Sequence, residues 1–69
     1  MYRPIHEHSA AIVLQDAAPA FIISGTDPSV FKSPAGVTFT VSGPTGIIEI
    51  PVKEIVTIGG TNKVTTLSQ

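Results

Sequence analysis

The sequence has no cysteine and no tryptophan, and only 13% of its residues are charged, about half the share usual in soluble domains. Each shortage excludes something. Without cysteine there are no disulfides and no thiolate zinc sites, two of the devices by which small domains offset a small core, and the redox compartment stays open. The basic residues are four, Arg3, Lys32, Lys53 and Lys63, spread along the chain. No cluster of them is positioned to displace counterions from a phosphate backbone, which argues against a nucleic-acid partner. Long apolar runs are missing too. The longest, Ala17 to Ile23, contains Pro19 and falls far short of the ~20 residues that cross a bilayer, so no membrane partner is expected. His6-Glu7-His8 before Ala10 to Leu14, and Gln15-Asp16 after it, interrupt what would be the apolar segment of a signal peptide. The expected location is therefore the cytoplasm, or a larger particle that carries the chain.

A chain of 69 residues forms one domain at most and buries only about 60% of the surface its unfolded form exposes. With few charges and a positive mean hydropathy of +0.35, such a chain calls for support from neighbours, through self-association or docking on a larger partner.

What is abundant is β-branched. Thr, Val and Ile make up 24 of the 69 residues, and these types fit a pleated, half-buried surface better than a helix. The expectation is an all-β fold: a small single-domain antiparallel sheet, barrel or sandwich of five or six strands, with residues 1–9 as an extended N-terminal arm and residues 10–69 as the β domain. Val37-Thr38-Phe39-Thr40-Val41-Ser42 alternates apolar and hydroxylic residues with the period of two that puts Val37, Phe39 and Val41 on one strand face. Ser42-Gly43-Pro44-Thr45-Gly46 has the composition of a hairpin reversal leading into Ile47 to Ile50. Pro51 then opens a further strand, in which a change of apolar phase after Val52 predicts a bulge or bend near Pro51 to Lys53. Gly59-Gly60-Thr61-Asn62 reads as a second hairpin turn, bringing Lys63 to Leu67 antiparallel to Glu54 to Ile58.

Earlier in the chain, Ala10 to Leu14 and Ala20 to Ser24 read as strands, the second apolar on both faces as if buried between layers. Gly25 to Gly36, GTDPSVFKSPAG, has two prolines and no period and reads as a long surface loop with an apolar tip at Val30 and Phe31. These two either anchor in a neighbour's pocket or fold back over an open end of the sheet. In the arm, MYRPIHEHS, Tyr2 and Ile5 are the apolar groups available for insertion into a neighbour. The alternatives are a frayed terminus or one lying on its own domain. Tyr2, Ile5, Val30 and Phe31 are thus the candidate partner-binding residues.

Catalytic chemistry finds no constellation. The carboxylates Glu7, Asp16, Asp27, Glu49 and Glu54 are separated along the chain and suit turn or solvated strand positions. The serines lack a strained elbow motif, and Gly-Pro-Thr-Gly lacks the lysine and following helix of a phosphate loop. No catalytic residue and no cofactor are expected, and a non-enzymatic role follows. His6 and His8 are the only candidates for metal ligation, because alternate residues of an extended segment point the same way. No third histidine exists to join them, so a solvated pair is the simpler reading.

With MYRPIHEHS as an arm, GTDPSVFKSPAG as a Gly/Pro/Ser loop and Thr/Val/Ile strands after it, the chain resembles the small β-rich virion proteins of tailed bacteriophages, in particular the decoration or cement proteins of capsids. The resemblance is one of overall character. It implies a structural role: a symmetric homo-oligomer, a trimer by preference, that sits on a capsid surface and clamps its subunits through the arm and loop. The competing expectation is a small β-barrel module that binds a ligand or peptide, with Phe31 or Phe21 lining a pocket. A closed barrel with an internal cavity would favour the second, and flat apolar patches outside would favour the first.

Overall fold

The computed structural model describes residues 1–69 as seven strands and no helix: β1 (Arg3–His8), β2 (Ile12–Ala18), β3 (Ala20–Ser24), β4 (Pro28–Lys32), β5 (Thr38–Ser42), β6 (Val52–Thr57) and β7 (Lys63–Ser68). They form two antiparallel sheets, one in the order β1-β7-β3 and the other in the order β2-β6-β4-β5. The fold is all-β, as the composition predicts, with one or two strands more than expected.

The two sheets face each other across a core of Phe21 and Ile23 from β3, Val64 from β7, Phe31 from β4, and Val52 and Ile55 from β6. Phenylalanines hold the layers together. The Phe21 ring of one sheet lies 4.6 Å from Phe31 of the other, and Phe39 on β5 lies 5.6 Å from Phe31, separations at which tilted aromatic rings attract. Twelve of the 69 residues are buried. The space between the layers is filled with side chains, so the molecule is a sandwich rather than a hollow barrel.

The expected hairpins are both absent. β5 pairs with β4 over five consecutive positions, Pro28 opposite Ser42 through Lys32 opposite Thr38, and not with the residues after Gly46. The chain leaves β5 through a cis Gly43–Pro44 peptide and crosses to the other sheet, where Ile48 bridges Phe21. Thr45 fastens the crossing: its N–H donates to the Ile23 carbonyl, and its hydroxyl accepts from the Ile23 N–H, each at 3.0 Å. Gly43 is there for space, because a Cβ on it would collide with the Gly25 carbonyl oxygen and the Ile23 side chain. Gly59 to Asn62 likewise crosses between layers, since β6 and β7 belong to different sheets. Turn-forming residues fix a local reversal, but do not decide whether the next strand pairs beside the last or stacks over it.

The only hairpin of consecutive strands, β4–β5, falls largely within the stretch expected as a loop. Pro28-Ser29-Val30-Phe31-Lys32 does alternate, with Ser29 and Phe31 buried and Val30 and Lys32 half-buried, but a serine in an inward position hides the period. The reversal itself is Ser33 to Val37. The Gly36 N–H donates to the Ser33 carbonyl and the Ser33 N–H to the Val37 carbonyl, with Gly36 at φ +88°, a conformation that favours glycine.

The phase change in β6 is real, and the strand meets an irregularity on each of its two sides. Opposite β2, Glu54 faces Val13 and Val52 faces Ala18, so Leu14 to Ala17 bow away from the ladder. Lys53 bridges that bow, its Nζ donating to the Gln15 carbonyl at 2.6 Å. Opposite β4, Thr57 faces Val30 and Ile55 faces Phe31, which makes Val56 the extra residue of a bulge. Val52 and Ile55, three apart, are both buried; the irregularity opposite β2 lies between them, whereas the Val56 bulge lies beyond both. The expected bulge accounts for the first of these irregularities and not for the second.

Residues 1–9 are not a free arm. Arg3–His8 is extended but lies on its own domain as β1, paired with β7 from Arg3 opposite Ser68 to His8 opposite Val64. Backbone pairing with a central strand outweighs the proline and the charges that suggested a loose terminus.

Candidate functional site

β1 and β2 are consecutive yet belong to different sheets, so the layers part along that side and leave a cleft of about 220 Å³. Ile5, His6 and His8 line it from β1, Leu14 and Asp16 from β2, and Thr66 of β7 closes its floor. His6 and His8, two residues apart, share a face as a strand requires, with ring centroids 6.0 Å apart. Burial holds the His8 imidazole below its usual pKa, and the neighbouring His6 adds to the depression. The Nε2 of His8 is sealed from solvent with no hydrogen-bond partner. No group of three His, Cys, Asp or Glu side chains converges here or elsewhere in a geometry for a metal ion. The hydroxyl in the cleft, Thr66 Oγ1, donates to the His6 carbonyl at 3.4 Å, so it does not face an imidazole as a nucleophile would. The volume lies below the roughly 300–1,000 Å³ of typical small-molecule pockets.

The candidate contact residues do not come together. Tyr2 is half-buried beside β1, its hydroxyl donating to the Glu49 carboxylate at 3.0 Å. Ile5 stands 49% exposed at the mouth of the cleft. Val30 is half-buried on β4, an interior strand of its sheet. Phe31 is fully buried in the core. It is therefore unavailable as an anchor in a neighbour's pocket, and it does not cap the sheet end either, because β4 runs through the stretch expected as a loop.

What the surface shows instead is a scatter of large apolar side chains. Ile12, Val13, Val37, Ile47, Ile50 and Val56 are all exposed, Val13 and Val37 by 62%. Val37 departs from expectation: it ends the reversal before β5 and stands exposed instead of sharing the half-buried face of Phe39 and Val41. Buried polar groups went unnoticed in the sequence. Ser29 and Asn62 are sealed beneath the crossings, where the Gly59 N–H donates to Ser29 Oγ at 3.3 Å and Asn62 brackets the backbone of Asp27. A turn asparagine carries no mark of burial in its sequence context.

The class defined by this architecture is a small two-layer antiparallel β-sandwich with a lateral cleft and a sparsely charged exterior on which eight large apolar side chains stand exposed. Comparison with protein-family models, with curated proteins and with solved structures found no match to this chain.

Proposed function

We propose that this chain is a non-enzymatic structural protein that works by contact, as a symmetric homo-oligomer held against a larger protein assembly. The observation that carries the reading is the surface: large apolar side chains stand exposed on a molecule with 13% charged residues and twelve buried ones. Such a surface is tolerated when neighbours cover it permanently and promotes aggregation when they do not. The filled core and the small lateral cleft favour this reading over a ligand-binding barrel, whose function needs an internal cavity. A decoration or cement protein on the outer surface of a phage capsid is the particular form the sequence character suggests, and location in the virion goes with it.

Light scattering across a dilution series of the purified protein tests the reading. A closed oligomer that persists to micromolar concentration is expected. A folded monomer throughout that range would overturn the proposal and return attention to the cleft.

A further inference from the structure

A sandwich of two open sheets has four edges, and three of them are guarded. β1 carries Arg3, Pro4 and Glu7 and a break in its register between Pro4 and His6. The free side of β3 is taken by the crossing at Thr45 to Ile48, through backbone hydrogen bonds at Phe21 and Ile23. β2 carries Asp16 and bows away from its partner over Leu14 to Ala17. Charges, proline, irregular register and coverage are the devices by which edge strands avoid pairing with other chains. β5 has none of them. Thr38-Phe39-Thr40-Val41-Ser42 has no charge and no proline, is in unbroken register with β4, and lies at the end of its sheet.

The sequence of that edge is also self-complementary. Turned antiparallel about Thr40, it sets Thr40 opposite Thr40, Phe39 opposite Val41, and Thr38 opposite Ser42. Hydroxyl meets hydroxyl on the exposed face, and an aromatic meets a β-branched side chain on the half-buried one. These are the cross-strand pair types that stabilise antiparallel ladders, by about 0.2–1 kcal/mol each. A random partner strand would not match residue for residue, but a second copy does.

We propose that β5 is the self-association edge of this protein, pairing antiparallel with β5 of a second copy across a two-fold axis at Thr40 and joining the two four-stranded sheets into one. The inference rests on the contact function proposed above and deepens it, making the primary contact two-fold instead of the three-fold contact of a trimer.

The cysteine-free background gives a direct test. Residues facing each other across such a ladder have Cα atoms about 4.5–5.5 Å apart, within disulfide reach. Thr40→Cys should form a covalent dimer under mild oxidant much faster than Thr61→Cys, an exposed control in the β6–β7 crossing; equal rates would overturn the proposal. In light scattering, Thr40→Lys should weaken self-association at least tenfold, and mixing it with Thr40→Glu should restore the pairing. Circular dichroism of each variant should match the wild type, because residue 40 is exposed. If Thr40→Lys associates as the wild type does, the β5 edge is overturned while the oligomeric reading stands. A wild-type protein that is monomeric at every concentration overturns both.

Discussion

Tyr2 is the only tyrosine of a chain without tryptophan, so its ionisation can be followed in the near-ultraviolet with nothing overlapping it. The hydrogen bond it donates to Glu49 raises its pKa above the usual value of 10.0, desolvation and the carboxylate's charge push the same way, and Gln69 opposes them with a smaller effect. Between the unfolded and folded pKa values the folded chain holds the proton and the unfolded chain does not. The stabilisation is therefore complete below about pH 10 and is lost as pH rises through the folded value. A spectrophotometric titration should show a midpoint above that of a model tyrosine, and Glu49→Gln should move it back towards normal. A midpoint unchanged by Glu49→Gln would mean that the bond does not form in solution. The same pair shows what a sequence withholds at this scale. Tyr2 and Glu49 are 47 positions apart, and no local pattern links them; Glu49 reads only as a solvated carboxylate.

Among the elements, identity was legible and partnership was not. Alternation in Val37 to Ser42 located β5 (Thr38–Ser42), and the apolar run of Ala20 to Ile23 located β3, which turns Phe21 and Ile23 into the core while Ile22 is only half-buried, with no third layer to cover it. Period and β-branching report how a strand presents its faces. They do not report which strand lies beside it. Sequential strands are neighbours roughly two-thirds of the time, and here β4–β5 is the single case, so hairpins inferred from turn residues failed at both Gly43-Pro44 and Gly59-Gly60. The crossings depend on buried polar brackets instead. Asn62 Oδ1 accepts from the Asp27 N–H at 3.3 Å while its Nδ2 donates to the Asp27 carbonyl, so one side chain stands in for a strand neighbour and ties the β3–β4 loop to the β6–β7 crossing. Asn62→Ala removes both part-buried hydrogen bonds, and at the usual net worth of about 0.5–1.5 kcal/mol for each the predicted loss is about 1–3 kcal/mol. Urea unfolding should show this as a lowered midpoint at an unchanged slope. A midpoint within error of the wild type would show that water replaces the amide without penalty.

On the scale of the whole molecule, a domain of this size is stabilised by only about 3–10 kcal/mol, at the usual 0.05–0.15 kcal/mol per residue. Truncating a fully buried phenylalanine removes about 3–5 kcal/mol. Phe31 sits between Phe21 and Phe39 and touches both layers, so Phe31→Ala should abolish or nearly abolish cooperative thermal unfolding in calorimetry. Retention of a wild-type transition would place the structural centre elsewhere. Oligomerisation would add to the stability of the native chain by mass action, so the measurement belongs at low protein concentration. The marginal core and the exposed apolar side chains have one origin: two thin sheets made from so short a chain offer more apolar residues than their shared interior can hold.

β7 is the middle strand of its sheet, flanked by β1 and β3, yet it is the last of the seven to emerge during synthesis. Until Lys63 to Ser68 leave the ribosome, neither β1 nor β3 has its ladder partner, and the layer that covers Phe31, Val52 and Ile55 is missing its centre. The first sheet therefore cannot form before its seventh strand has been made, and its closure waits on β1 against β7, the strand pair most widely separated along the sequence.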